Sequence, residues 1–75
     1  MSPYIRDEIA RLRADAASFR EHAKYTRIAI RHEPNPVRRI QLRARVSEYV
    51  LAAQQRDREA KGLREQHNGR RTACP

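Results

Sequence analysis

Three histidines, one cysteine, three tyrosines and nine carboxylates are among the side chains of this chain able to attack, ligate or pass a proton. Their spacing does not assemble a catalytic set. There is no Ser-His-Asp or Cys-His arrangement at a recognisable separation and no glycine-rich phosphate loop. A zinc site needs three or four convergent ligands. His22, His32 and His67 are not at i, i+4 spacing, and on a helix His22 and His32 point different ways. Cys74 has no second cysteine to pair with inside the chain. It reads as a free thiol, with an intermolecular bridge as the alternative. The expectation is a protein that is not an enzyme and that takes no cofactor and no metal.

The chemistry that remains is charge. Lys and Arg total 17 against nine acids, a formal net charge of +8. The excess is uneven along the chain. Residues 1–19 carry three bases and three acids, and residues 46–69 carry four of each. Residues 20–45 carry eight bases and only two acids, Glu21 and Glu33. Helices gain from opposite charges at i, i+4, and the terminal parts of the chain obey this, as in Asp7 with Arg11 and Lys61 with Glu65. The middle does not: Arg20 precedes Lys24, Arg27 precedes Arg31 and Arg39 precedes Arg43. Arg38 and Arg39 also fall where a second helix would begin, at the positive end of its dipole. Conflicts of this kind, without a local gain, are where a binding function is expected.

Stepping outward from these residues, the apolar pattern says what holds them. From the middle back to the N-terminus it reads Ile30, Thr26, Ala23, Phe19, Ala16, Leu12, Ile9 and Ile5. From the middle forward it reads Leu42, Val46, Tyr49, Ala53, Arg56, Ala60, Leu63 and His67. Both runs step alternately by four and three, and each pair of numbers sums to 72. This predicts an all-α fold: an antiparallel two-helix hairpin with a coiled-coil-like seam. Large residues face small ones, with Phe19 opposite Ala53, Ala23 opposite Tyr49 and Leu12 opposite Ala60. Arg56 opposes Ala16, which predicts a stem lying over the alanine and a guanidinium reaching Asp15 or water.

Pro3 suits the first helical position after Ser2, and Pro36 does the same after Asn35. The predicted boundaries are helix 1 over about 3–33, a turn at 34–36 and helix 2 over about 36–67. Asn68-Gly69 reads as a stop, followed by a flexible basic tail over 70–75. In the first helix Arg occupies every e position of the heptad: Arg6, Arg13, Arg20 and Arg27. The g positions run Glu8, Asp15, His22 and Ala29, so acid fades toward the turn.

The hairpin tip is therefore the candidate binding site, formed by Lys24, Tyr25, Arg27, Ile28, Arg31, Arg38, Arg39, Arg43 and Arg45. Arginine with Tyr and Ile off the seam has the composition of a protein interface. A further off-seam stripe, Val37, Ile40, Ala44 and Leu51, serves the same purpose or a dimer contact. A single hairpin with 35% charged residues has a thin core, and dimerisation into a four-helix bundle is the usual remedy. That architecture resembles the small plasmid RNA-binding hairpin that dimerises in this way; no sequence motif accompanies the resemblance, which concerns the fold only.

The expected function is a non-enzymatic regulatory or inhibitory protein. It would dock an acidic or mixed protein surface, as small phage and mobile-element products do when they block host machinery. The alternative is an RNA- or DNA-binding modulator using the same arginines on phosphates. No stretch is long enough to span a membrane and no signal-peptide pattern is present, so the expected location is cytoplasmic.

Overall fold

A computed structural model describes residues 3–73, with side chains through residue 68. Helix α1 runs Pro3–His32 and helix α2 runs Pro36–Ala73. They lie against each other along their length in a rod of 63 × 17 × 12 Å. There is no strand among the described residues.

The seam is the predicted one. All sixteen positions of the two alternating runs are buried or half-buried. The most buried are Leu12, Ala16, Ala23, Leu42, Ala53 and Ala60. In the register read from the sequence each of the four alanines faces a larger side chain, respectively Arg56, Tyr49, Phe19 and Leu12, and all four alanines are buried. The fit is therefore made by alternation of size, and no large side chain is completely enclosed. Tyr49 makes its ring contacts diagonally across the seam, 6.4 Å from Phe19 and 5.5 Å from His22 between centroids. These separations suit stacked rings. Thr26, the polar member of the α1 run, donates its hydroxyl to the His22 carbonyl at 2.8 Å, which satisfies it inside its own helix.

The turn follows from its three-residue chemistry. Pro34 disfavours helical geometry at Glu33, and α1 ends at His32. Asn35 caps α2: its Oδ1 accepts the Val37 N–H at 2.9 Å and the Arg38 N–H at 3.4 Å. Its carbonyl accepts the Arg39 N–H at 3.0 Å, and Pro36 fills the first helical position. Glu33 adds an acceptor, its Oε1 taking the Asn35 N–H at 3.2 Å.

One boundary differs from the sequence reading. Helix α2 continues through Asn68-Gly69 to Ala73, past the stop expected there; residues 74–75 of the expected tail lie outside the described residues. A glycine ends a helix by taking positive φ, and no glycine here does so. With that signal unused, Arg70, Arg71 and Ala73 favour continuation. Cys74 lies outside the described residues.

Candidate partner-binding surface

In an antiparallel pair the e rows of both helices share one side and the g rows share the other. Extending the heptad to α2 puts Arg43, Val50, Asp57 and Arg64 in its e row and Arg38, Arg45, Ala52 and Glu59 in its g row. The contacts agree. On the e side Arg20 makes an ion pair across the seam with Asp57. On the g side half-buried Arg56 reaches Asp15 at 4.0 Å and Glu59 at 3.6 Å. The predicted Arg56–Asp15 contact is thus formed, as a charge contact rather than a hydrogen bond.

This division sorts the charge by side, where the sequence reading had sorted it by end. The e rows and the adjoining b rows hold nine bases: Arg6, Arg13, Arg20, Lys24, Arg27, Arg31, Arg43, Lys61 and Arg64. They hold one acid, Asp57. All other positions among residues 3–68 together carry six bases and eight acids. Over residues 3–68 one long side is therefore +8 and the rest of the surface is −2. From Arg6 to Arg31 the basic side extends about 38 Å at 1.5 Å per residue.

Near the tip this side is a groove. Arg27, Arg31 and Arg43 stand around Ile30, Val46 and Ser47, enclosing an open space of about 470 Å³. Two further open spaces share its walls, one at Val50 and Leu51 and the next along Arg20, Ala23, Ala53 and Gln54, with Arg27 common to all three. The Arg20–Asp57 pair lies at the far end. Ile30, Val46 and Val50 are half-buried and form the floor. Arg27, Arg31 and Arg43 have no carboxylate partner among the described residues. A second cluster lies near the termini of the hairpin, where Arg6, Arg13 and Arg64 surround Ile9.

The candidate residues are thus divided. Arg27, Arg31 and Arg43 converge on the groove, with Lys24 in the b row of the same side. Tyr25 lies on the g side, where its hydroxyl donates to Glu21 at 3.5 Å. Ile28 lies on the outer edge, and Arg38 and Arg45 are on the g side. Arg39 has a structural role that the sequence reading missed: its Nη1 donates to the Glu33 carbonyl at 3.2 Å and ties α2 to the turn. That bond is a local gain for a cation at an unfavourable helix end. Sequence reasoning also passed over Arg6, Arg13 and Arg64, and over Val50 and Ser47 in the groove. The signal was available, because lettering the heptad of α2 as well as α1 exposes the shared e side.

At the open end Arg11 and Glu8 pair on α1, and the hydrogen bond that Arg11 donates to the Glu8 carboxylate holds its guanidinium above its ordinary pKa. Among the described residues no group of three His, Cys, Asp or Glu is placed to hold a metal ion. No helix among them is long and apolar enough to cross a membrane. Comparison with protein-family models, with curated proteins and with solved structures gives no match. A functional reading of this chain therefore rests on its geometry.

Proposed function

We propose that this hairpin is a non-catalytic regulatory or inhibitory protein that docks an acidic protein surface through its basic side near the tip. The observation that carries this reading is the groove, where three unpaired guanidiniums stand around an apolar floor. Arginine at the rim of buried apolar area is the composition of protein interfaces. Charge on one side would also steer an acidic partner onto it.

A second reading, nucleic-acid binding, is favoured by one specific observation: the +8 side runs well beyond the groove to Arg6 and Arg64. Cations spaced along a rod suit a phosphate backbone.

Self-association belongs to the same proposal. The core is thin, and Val37, Ile40 and Leu51 are each more than half exposed. A second copy would cover the outer edge of α2, which borders the basic side at Ile40 and Leu51, or the g side, since two +8 sides brought face to face repel.

The test is capture of partners from extract, with and without nuclease, by the parent and two variants. Arg27→Glu with Arg43→Glu is expected to abolish capture, and Arg38→Glu, on the opposite side, to retain it. Nuclease should have no effect. Capture that disappears with nuclease and falls steeply with salt would replace this reading with the nucleic-acid one.

A further inference from the structure

Resting on the protein-docking reading, we infer that the tip groove is built for one kind of occupant: a short, acidic, amphipathic helix of a partner protein. Four observations converge on it. The first is length. From the Arg20–Asp57 pair to Arg31 the groove spans eleven residues of α1, about 16 Å, or three helical turns. The second is the floor. Ile30, Val46 and Val50 offer apolar surface between two antiparallel helices, and a third helix laid there completes a bundle. An extended segment would leave its backbone polar groups facing side chains that offer no ladder, whereas a helix satisfies its own. The third is the rim. Arg27 and Arg31 line one wall and Arg43 the other, so an occupant with acids on both flanks of its apolar stripe meets a cation on each side.

The fourth observation separates this occupant from its competitors. Single-stranded nucleic acid stacks bases on aromatic rings, and no aromatic side chain lines the groove; a duplex is held through its phosphates instead and is decided by the titration below. A second copy of the chain would present its own arginines to these arginines across a two-fold contact. An acidic helix meets neither objection.

The experiment follows the backbone amides of the full chain by NMR during titration with three probes. The first is a synthetic peptide of about four helical turns with leucines at i, i+3, i+4 and i+7 and glutamates on both flanks. The second is the same composition scrambled to remove the stripe. The third is a short nucleic-acid duplex. The first peptide is expected to shift Arg27, Ser47 and Val50, and to bind at least about tenfold more tightly than the scrambled one. Val50→Asp should weaken it by a similar factor while helicity by circular dichroism stays at the parent level. Arg38→Glu should leave it unchanged.

Equal binding of the scrambled peptide, no binding of the striped one, or shifts confined to Tyr25 and Ile28 would overturn the groove as a helix site. In those cases the broader docking reading is judged separately, by the nuclease-resistant capture described above. Shifts at Ser47 and Val50 on raising protein concentration alone would also overturn it, because a second copy would then fill the groove. Groove shifts produced by the duplex and not by either peptide would overturn this inference and the docking reading together.

Discussion

His67 shows how a single side chain records a compromise in the seam. It occupies a seam position opposite Ile5, half-buried, with Leu63 and Gln66 close by. Its Nε2 is buried without a hydrogen-bond partner among the described residues. An unsatisfied polar atom of this kind costs about 1–3 kcal/mol, and a leucine of similar volume has no such atom. His67→Leu is therefore expected to stabilise the hairpin by about 1 kcal/mol, read as a higher denaturation midpoint with an unchanged slope. A lower midpoint would show that the imidazole is satisfied in solution. At this scale the sequence was legible wherever a residue's role depends on local spacing. Asn35 as a cap and Arg56 reaching Asp15 are both of that type. It was not legible for Arg39, whose bond to the Glu33 carbonyl depends on the path of the turn. Periodicity says nothing about that path.

At the scale of the elements, the helices and their register could be read because one repeat runs through both and reverses at Pro34-Asn35-Pro36. A seam of this kind reports its own pairing, since a slip would move every large residue off its small partner. The end of α2 could not be read in the same way. Asn68 and Gly69 permit a stop without enforcing one, and the outcome depends on whether the glycine takes positive φ. Gly62 poses a simpler question. It lies inside α2, and a Cβ added there meets nothing within 4 Å. Gly62→Ala should gain close to the full propensity difference, about 1 kcal/mol. For a domain of this size that raises the melting temperature by roughly 4–8 °C. No change would mean that this part of α2 is already frayed when the rest unfolds.

For the whole molecule, the sequence reading found the excess charge near the tip, and the fold adds that much of the charge is also aligned along one side. The reason is physical. Charge counted along a chain averages over all faces of a helix, and only the pairing of two lettered helices reveals which rows become neighbours. The same geometry bears on self-association. If the thin hairpin core is completed by a second copy, the melting temperature should rise with protein concentration, because association is linked to folding. Sedimentation at micromolar concentration should then give a dimer, and adding salt should not dissociate it if the contact is the apolar edge of Val37, Ile40 and Leu51. A melting temperature that ignores dilution would mean that the monomer is stable alone and that this edge is open to other partners.

A rod with its charge along one edge also has a preferred roll. In the field of an anionic body it feels a torque about its long axis as well as a pull. It would turn its arginine edge inward before touching, whichever way it first drifts. Immobilised on a negatively charged bead or sheet, it should lie flat with that edge hidden. Tyr25 and the acids of the opposite side would then stay in reach of probes, so the choice of support alone decides which half of the surface an assay can see.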